Sequence, residues 1–421
     1  MEGDNVMQKY IIKGGERLEG EVNISGSKNA ALPIIAATIL NTSKSTLYNV
    51  PNIHDTQIML KILELLGAKV EKKKNKIIID TNKINKYEIP KDLMGQMRSS
   101  VILAGSLIGR YHKATFSYPG GCDIGSRPID LHLKGFEKLG ITIQKEYGNI
   151  NCNSEIIVGE RIDLDFPSVG ATENIILASV LAKGETIINN AAREPEIIDL
   201  QNFLNKMGAK IKGAGTNQIV IEGVRELKEV SYKIMPDRIE AGTFLCAAAI
   251  TGGNIKLNDV NPEHITPAIA KLEEANCKIN IEKKSLGIKA PKKIKALEIK
   301  TMPYPGFPTD LQSLFVSTLT VAKGTSLMVE NIFENRYKFT TELIKMGAKI
   351  TIEGRSAIIK GVRKLYGTSV KATDLRGGAA LVLAGLQASG VTTIENIEYI
   401  LRGYEDFEKK LQKLGARILM K

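Results

Sequence analysis

The hexapeptide LLGAKV at residues 65–70 combines the end of a helix, a glycine and the start of a strand. The same pattern returns at intervals of about 70 residues, at 139–143 (LGITI), 207–211 (MGAKI), 275–279 (ANCKI), 346–350 (MGAKI) and 414–418 (LGARI). Glycine suits the position just past a helix, because the chain often turns there into a left-handed conformation that penalises a Cβ atom. The sequence therefore predicts six repeated units.

Helices rich in small residues are predicted for the other half of each unit. Segments of Ala and Leu with few charges, which are typical of helices buried on most sides, occur at 175–182, 245–251, 314–322 and 379–388. Alternating β-branched residues, as at 218–222, predict short strands. We expect an α/β protein with two helices and three or four strands per unit, and three units in each of two lobes.

The composition excludes several classes of protein. The chain has 421 residues, of which 43% are hydrophobic and 25% charged, as in an ordinary globular protein. No apolar stretch approaches the roughly 20 residues that cross a bilayer, and the N-terminus lacks a signal-peptide core. We therefore expect a cytoplasmic protein without membrane contact. The net charge of +12 suits an anionic partner, but an aromatic content of 5% without Trp argues against nucleic acid.

Cysteines and histidines are scattered along the chain, so neither a disulfide framework nor a metal site is predicted. Cys122 differs from Cys152, Cys246 and Cys277 because it lies in the turn-forming segment PGGCDIGSRP at 119–128. A thiol near cations and backbone amides is nucleophilic, whereas a buried free cysteine is a small inert hydrophobe. The sequence favours reactivity for Cys122 and burial for Cys246 and Cys277.

Polar side chains are predicted at the start of each small-residue helix. The sets are Lys28-Asn29, Arg98-Ser99-Ser100, Thr172-Glu173-Asn174, Asp237-Arg238 with Glu240, Asp310 with Gln312, and Asp374 with Arg376. Capping explains the aspartates and hydroxyls. Capping does not explain the cations, which are disfavoured at the positive end of a helix unless an anion bridges the two. We expect these starts to bind anions and to converge on one cleft, with Asp310 a helix cap by default.

Eight motifs follow one another in a fixed order. They are GGERLEG at 14–20, SGSKNA at 25–30, GGCDIGSRPIDLH at 120–132, SVGAT at 168–172, PDRIEAGT at 236–243, FPTD at 307–310, FENR at 333–336 and RGYE at 402–405. At this spacing, they resemble the enolpyruvyl transferase family almost from end to end, in particular its members that act on UDP-N-acetylglucosamine.

This resemblance implies a two-lobed inside-out α/β barrel of six βαβαββ-type units. One lobe would comprise residues 28–235 and the other residues 1–27 and 236–421, with the active site in the cleft. The reaction would transfer the enolpyruvyl group of phosphoenolpyruvate to the 3′-hydroxyl of UDP-N-acetylglucosamine and release phosphate. This is the first committed step of peptidoglycan precursor synthesis, and it requires no metal or organic cofactor.

Roles for single residues are also implied by the resemblance. Cys122 would donate a proton, form an adduct with phosphoenolpyruvate and react with fosfomycin-type epoxides, Asp310 would accept the sugar hydroxyl proton, and Asp374 would be a second carboxylate. The cationic cage would comprise Lys28, Asn29, Arg127, Arg336, Arg376 and Arg402, with Lys28 and Arg402 also catalytic. The UDP-sugar would contact Arg98, Arg127, Pro128, Ile129, Asp130, Leu131, Ser168, Val169, Gly170, Asp310 and Ile332.

The chain departs from the family pattern in three places. Tyr399-Ile400-Leu401 stands where members often have His-Ile-Asp, Tyr337-Lys338-Phe339 follows Arg336, and Phe166 replaces a lysine of some members. These departures leave the cationic cage intact and bear on catalytic efficiency, and on whether the chain is a main copy or a second paralogue.

Three alternatives remain open at the level of the sequence. The sister enzyme that acts on shikimate 3-phosphate lacks the Gly-Gly-Cys loop, so Cys122 argues against it. An RNA 3′-phosphate cyclase would need a nucleotidyl-accepting histidine, for which His264 lacks the setting. A binding scaffold that keeps the cage without the chemistry can be separated from an enzyme only by assay.

Overall fold

The computed structural model describes residues 8–120 and 128–421. The chain forms two compact units. The first, which we call the terminal unit, comprises residues 8–25 and 236–421, and the second, the inserted unit, comprises residues 26–120 and 128–235. The chain thus leaves the terminal unit after Ser25 and returns to it after Met235. Each unit buries a hydrophobic core of its own.

Short strands and helices alternate along the described chain. The strands are β1 Tyr10–Lys13, β2 Glu19–Asn23, β3 Lys44–Tyr48, β4 Lys69–Lys73, β5 Lys76–Asp80, β6 Lys113–Ser117, β7 Thr142–Glu146, β8 Asn149–Asn153, β9 Arg161–Asp163, β10 Glu185–Asn189, β11 Lys210–Lys212, β12 Gln218–Glu222, β13 Val230–Lys233, β14 Asn254–Asn258, β15 Lys278–Glu282, β16 Ser285–Lys289, β17 Glu298–Lys300, β18 Thr325–Val329, β19 Lys349–Glu353, β20 Ser356–Lys360, β21 Ser369–Lys371, β22 Val391–Glu395 and β23 Arg417–Met420.

The α-helices are α1 Lys28–Ala37, α2 His54–Leu66, α3 Lys91–Met94, α4 Ile102–Tyr111, α5 Asp130–Lys138, α6 Val169–Ser179, α7 Pro195–Lys206, α8 Arg238–Thr251, α9 Thr266–Glu274, α10 Gln312–Leu319, α11 Thr340–Lys345, α12 Leu375–Gln387, α13 Glu398–Leu401 and α14 Phe407–Lys413. Short 3₁₀ turns precede α4, α9 and α10, at Arg98–Val101, Pro262–Ile265 and Thr309–Leu311, and one follows α1 at Thr38–Leu40. None of the helices in these ranges is long and apolar enough to span a membrane.

Three sheets form in the described part of each unit. Their strand orders are β15-β16-β14-β2, β17-β18-β20-β19 and β21-β22-β1-β23 in the terminal unit, and β13-β3-β5-β4, β6-β8-β7 and β11-β12-β10-β9 in the inserted unit. The pairs β9–β10, β17–β18 and β21–β22 are parallel. Parallel neighbours need a crossover connection, which α6, α10 and α12 supply. The α/β class predicted from the sequence is confirmed.

The small-residue helices lie in the cores. In the terminal unit, α8, α10 and α12 pack pairwise against one another, and in the inserted unit α4 packs against both α1 and α6. Helix α8 is buried without interruption from Arg238 to Ile250, because its small side chains let neighbouring helices approach on every side. The predicted burial on most sides is confirmed, although α6 and α8 begin several residues before the apolar segments that indicated them.

Left-handed residues end the second helix of every repeat. The φ angles at the repeated position are +114° at Gly67, +82° at Gly140, +105° at Gly208, +90° at Gly347 and +94° at Gly415. In the degenerate copy the same place is taken by Asn276, whose φ of +70° uses the tolerance of asparagine for this region. The prediction from the opening pattern is confirmed at all six positions.

Candidate active site

Asp310 and two arginines form an ion-pair cluster in the terminal unit. Asp310 lies within the Thr309–Leu311 turn that precedes α10. Its Oδ1 accepts from Nη2 of Arg336 at 2.9 Å and its Oδ2 from Nη2 of Arg376 at 3.4 Å. The arginine side chains are each 4% exposed, and that of Asp310 is 30% exposed. Two buried cations thus hold a carboxylate that keeps access to solvent.

The electrostatic setting of Arg376 favours its charge. Burial alone would lower the pKa of Arg376, but the neighbouring Tyr404, Asp310 and Asp237 outweigh burial and raise it. Its guanidinium lies over the ring of Tyr404, 5.3 Å from the centroid. Nε and Nη1 of Arg376 and Nε of Arg336 are buried without a hydrogen-bond partner among the described residues. Buried N–H groups of this kind are rare, and they leave donors for a further anion.

Asp374 caps helix α12. Its Oδ1 accepts from the backbone N–H groups of Arg376 and Gly377, both at 3.0 Å, and the Thr373 hydroxyl donates to Oδ2 at 3.1 Å. Asp237 caps α8 in the same way. Asp237 and Asp374 therefore cap their helices, as the sequence predicted for the aspartates. Asp310 does not act as a helix cap, because it lies inside its turn and pairs with two arginines.

Arg402 and Arg238 lie in the same unit as Asp310. Arg402 follows α13 directly, is partly exposed and precedes Tyr404 by two residues. The Arg238 guanidinium lies 5.6 Å from the ring centroid of Tyr304. The terminal unit thus carries Arg336, Arg376 and Arg402 of the predicted cage.

Lys28 begins α1 in the inserted unit and has a carboxylate partner. Its Nζ lies 3.0 Å from Oδ2 of Asp55, a side chain that is 1% exposed. The Ser27 hydroxyl caps the helix by accepting from N–H of Ala30 at 3.3 Å, and Asn29 follows Lys28 in the first turn. Lys28, a cation that is unusual at the start of a helix, is therefore paired with Asp55, which lies 27 residues later in the sequence. No motif or spacing in the sequence pointed to that partner.

The predicted UDP-sugar residues of the segment 128–131 lie at the start of α5. Nη2 of Arg98 donates to the backbone oxygen of Pro128 at 3.4 Å, so the structure brings these two predicted residues together. Ile129 is buried, whereas Asp130 and Leu131 begin the helix with more exposed side chains. The segment is therefore anchored by the buried side chain of Ile129, and it leaves the side chain of Asp130 exposed.

His132 connects this segment to the start of α6. Its Nδ1 lies 2.7 Å from Nδ2 of Asn174, and a Cβ built on Gly170 would lie 3.1 Å from its Cε1. Ser168, which caps α6, and Val169, the first residue of that helix, are the other predicted residues there. The two predicted UDP-sugar segments therefore meet at His132. The sequence contained this histidine in a motif but gave no sign of its contacts.

The interpretation of Thr172, Glu173 and Asn174 as a helix start was wrong. Helix α6 begins at Val169, so these residues lie inside it. Thr172 accepts from N–H of Ala192 at 3.1 Å, Asn174 accepts from N–H of Gly105 at 2.8 Å, and burial raises the pKa of Glu173. Their polar groups join elements of the inserted unit and are already engaged by the protein.

Cys246 and Cys277 are buried, as the sequence predicted, and Cys152 is buried as well. Burial raises the pKa of Cys152 and Cys277 to about 12, and that of Cys246 still further from its usual range, so these thiols are inert. Cys122 and Arg127 lie outside the described residues. Within residues 8–120 and 128–421, no group of three His, Cys, Asp or Glu side chains is arranged to hold a metal ion.

Four of the residues that depart from the family pattern pack in the terminal unit, whereas Phe166 in the inserted unit is exposed. Tyr337 and Phe339 are buried, and the Tyr337 hydroxyl donates to the backbone oxygen of Met328 at 2.8 Å. Tyr399 and Leu401 are partly buried against the core of the terminal unit. Packing rather than direct contact with Asp310 therefore accounts for the side chains present at these four positions.

A family model described as EPSP synthase (3-phosphoshikimate 1-carboxyvinyltransferase) matches residues 12–411. The chain belongs to this family of enolpyruvyl transferases. Within the family, it is 54% identical over 414 residues to UDP-N-acetylglucosamine 1-carboxyvinyltransferase 2 of Caldanaerobacter subterraneus, covering 98% of this chain and 99% of that protein. It is 51% identical over 412 residues to the UDP-N-acetylglucosamine 1-carboxyvinyltransferase of Geobacter metallireducens, with the same coverage.

Solved structures of enolpyruvyl transferases share the fold. The enolpyruvyl transferase NikO from Streptomyces tendae superimposes with a TM-score of 0.89 at 25% identity, covering 99% of both chains. EPSP synthase from Acinetobacter baumannii superimposes with a TM-score of 0.75 at 19% identity, covering 99% of this chain and 100% of its own. The second likeness concerns the fold alone, whereas the relatives above 50% identity act on UDP-N-acetylglucosamine by name.

Proposed function

We propose that this chain transfers the enolpyruvyl group of phosphoenolpyruvate to the 3′-hydroxyl of UDP-N-acetylglucosamine and releases phosphate, in peptidoglycan precursor synthesis. The observation that carries the proposal is the partly exposed carboxylate of Asp310 held by two buried arginines, Arg336 and Arg376. Identity above 50% over nearly the whole chain to enzymes named for this reaction supports it. The shikimate alternative has only the broader family in its favour.

Asp310 is the proposed acceptor of the sugar hydroxyl proton. As that oxygen bonds to the central carbon of phosphoenolpyruvate, Cys122 delivers a proton to the methylene carbon, which becomes a methyl group. Loss of a methyl proton and of phosphate then restores the double bond, with Asp374 a candidate for the proton transfer. Fixed cations stabilise the negative charge of the substrate and of the departing phosphate.

The cage for phosphoenolpyruvate is proposed to combine residues of both units. The buried N–H groups of Arg336 and Arg376 that lack a partner among the described residues support an anion beside Asp310. Lys28 stands in the first turn of α1, and the N-terminus of a helix attracts anions. The full proposed set is Lys28, Asn29, Arg127, Arg336, Arg376 and Arg402, of which Lys28 and Arg402 would also act in catalysis.

The UDP-sugar is proposed to bind mainly to the inserted unit. The contact between Arg98 and Pro128, and the packing of Gly170 against His132, support a continuous surface of the predicted residues. That surface comprises Arg98, Arg127, Pro128, Ile129, Asp130, Leu131, Ser168, Val169 and Gly170, with Asp310 and Ile332 contributed by the terminal unit.

A two-lobed inside-out barrel of six units is the architecture that we propose for this function. The three sheets and the buried helices found in each unit support it. In this arrangement the lobes are residues 28–235 and residues 1–27 with 236–421, and the substrates bind in the cleft between them. The cytoplasmic location predicted from the sequence stays a prediction.

Phosphate release from phosphoenolpyruvate in the presence of UDP-N-acetylglucosamine tests the function. We expect turnover by the wild type, and a loss of about 100-fold or more for Asp310→Asn and for Cys122→Ala, because each removes a proton-transfer group. Cys152→Ala, which removes a buried thiol, is the matched control and should retain activity. Equal rates in all variants would contradict the mechanism, and no turnover in any would favour a scaffold.

Two further arms separate the alternatives in the same assay. Shikimate 3-phosphate in place of the UDP-sugar should give no phosphate release, and release at a comparable rate would identify the sister activity. A fosfomycin-type epoxide should add once per chain, with the added mass at Cys122. Labelling at Cys152 would contradict the assignment of the reactive thiol.

A further inference from the structure

Glu330 is a fully buried carboxylate at the end of β18 in the terminal unit. It accepts four hydrogen bonds, all from neutral donors. Oε1 accepts from the Thr301 hydroxyl at 2.9 Å, from N–H of Ile332 at 2.8 Å and from N–H of Phe333 at 3.1 Å. Oε2 accepts from the Thr309 hydroxyl at 2.9 Å. Both oxygens are therefore occupied as acceptors.

A carboxylate at 0% exposure is costly unless hydrogen bonds replace its hydration. Four donors converging on Glu330 meet that requirement, and hydrogen bonds to a charged acceptor are stronger than those between neutral groups. The proposed reaction assigns no role to Glu330, which has no contact with solvent. Through its hydrogen bonds, Glu330 connects three chain segments, at Thr301, at Thr309 and at 332–333.

Two of these segments carry the ion pair of the candidate active site. Thr309 precedes Asp310 directly, and the amides of Ile332 and Phe333 belong to the turn that leads to Arg336. The 2.9 Å contact between Asp310 and Arg336 joins the same two segments a second time. The two segments are therefore linked twice, by the buried Glu330 and by the ion pair of the partly exposed Asp310.

We infer that Glu330 is a positioning residue that sets the placement of Asp310 relative to Arg336. The inference rests on the proposed function, in which Asp310 receives the hydroxyl proton. Through Thr309, Glu330 orients the carboxylate, and through N–H of Ile332 it also holds a residue proposed to contact the UDP-sugar. A shift of about 1 Å in a reacting group is enough to cost on the order of 100-fold in rate.

Thr309→Val tests the link to Asp310 while keeping the shape of the side chain. We expect kcat to fall about 10- to 100-fold, with KM for UDP-N-acetylglucosamine unchanged because the amide of Ile332 still binds Glu330. Thr309→Ser, which restores the hydroxyl, should recover most of kcat. Glu330→Ala removes both links and should lower kcat and raise KM together.

Thr320→Val is the matched control, since it removes a buried hydroxyl that donates to the Ser317 backbone oxygen at 2.6 Å without contacting Glu330. Its kcat should equal that of the wild type. A wild-type kcat for Thr309→Val, no recovery with Thr309→Ser, or an equal loss in Thr320→Val would each overturn the inference.

Crystal structures of the wild type and of Thr309→Val supply a readout that does not depend on turnover. If the wild type releases no phosphate, the proposed function is wrong, and the positioning role is judged from the contact between Arg336 and Asp310 alone. Loss of that contact in Thr309→Val supports the role of Glu330, and its retention at 2.9 Å overturns it.

Discussion

Within residues 8–120 and 128–421, the chain passes from one unit to the other after Ser25 and after Met235, and a buried carboxylate holds the chain at each of these crossings. At the first crossing, Oε2 of Glu240 accepts from N–H of Ser25 at 2.8 Å. At the second, Oδ2 of Asp199 accepts from N–H of Met235 at 3.2 Å. The same backbone task is therefore performed once in each unit.

The partners of the two carboxylates differ. Glu240 binds the ammonium of Lys410, which also donates to the Ser25 hydroxyl, whereas Asp199 binds the neutral hydroxyl of Tyr232 at 2.6 Å. Burial raises the pKa of Glu240 to about 7 although Lys410 opposes the rise. Burial raises the pKa of Asp199 to about 6, opposed by the hydrogen bonds from Tyr232 and Met235. A cation or a neutral donor can thus complete the same backbone contact.

Each crossing leads into a helix that carries candidate site residues. Lys28 begins α1 after the Ser27 cap, and Arg238 begins α8 after the Asp237 cap. N–H of Ser27 donates to the Met235 oxygen at 2.7 Å, within the inserted unit. The carboxylates that hold the crossings therefore also place these helix starts.

The largest effect is expected from Lys410→Met, which leaves Glu240 buried without its cation. We expect the free energy of unfolding at pH 8 to fall by about 3–5 kcal/mol. At pH 5 the loss should be smaller by about 1.4 kcal/mol, because Glu240, whose pKa is about 7, is then protonated and the charge attraction is absent in the wild type as well. Urea denaturation at the two pH values measures both.

Lys409→Met is the control for this comparison. Its ammonium pairs with Asp406 at 2.7 Å on the surface, where its side chain is 74% exposed. An exposed pair contributes at most about 1 kcal/mol, so the loss should be small at both pH values. Equal losses in the two lysine variants would show that the crossing at Ser25 does not depend on its cation.

A smaller, pH-dependent effect is expected from Asp199→Asn. A carboxyl group with a raised pKa in the folded protein stabilises it at low pH, and this stabilisation is lost as the pH rises through the folded pKa. Relative to Asp199→Asn, the wild type should therefore lose about 2.5 kcal/mol of unfolding free energy between pH 4 and pH 7. Urea denaturation across this range measures the difference.

Asp165→Asn serves as the reference for that titration, since the Asp165 side chain is 72% exposed. Its unfolding free energy should follow that of the wild type across the same pH range. If the unfolding free energy of Asp199→Asn also changes with pH as that of the wild type does, the pKa of Asp199 is not raised in the folded protein. The crossing at Met235 would then make no pH-dependent contribution to stability.

The smallest effect concerns the helix caps that follow the crossings. Ser27→Ala removes one hydrogen bond to N–H of Ala30 and should cost about 1 kcal/mol, whereas Asp237→Ala removes two, to Ile239 and Glu240, and should cost about 2 kcal/mol. Thermal denaturation of both variants ranks the two caps. The reverse order would contradict the stronger hold of the charged cap.

Much of the fold was predictable because its signals are local. A helix that ends at a left-handed residue shows itself within six residues, and the repeat of that pattern identified Gly67 and even Asn276. The burial of Cys246 and Cys277 also followed from their immediate neighbours. The sequence placed α6 too late, because its apolar periodicity begins after the Ser168 cap and the polar residues Thr172 and Asn174 resemble a start.

The sequence predicted which residues belong to the candidate site, but it predicted only some of the side chains that bind them. The ordered motifs contained Lys28, Asp310 and Arg336, and the polar helix starts contained Arg376. The structure brings Asp310, Arg336 and Arg376 together in one unit. Asp55 and Glu330 were missed, since neither stands in a pattern that indicates a buried acceptor.

By itself, the sequence determined the repeated units, their turns, the α/β class and the chemical groups available for a reaction with anions, because these depend on neighbours along the chain. Only the tertiary structure decided which charges are paired. Ser25 and Glu240 are separated by 215 residues, and Ser25 and Lys410 by 385. Such contacts form because burial forces each polar group to find a donor or acceptor wherever packing places one, and no local pattern records that choice.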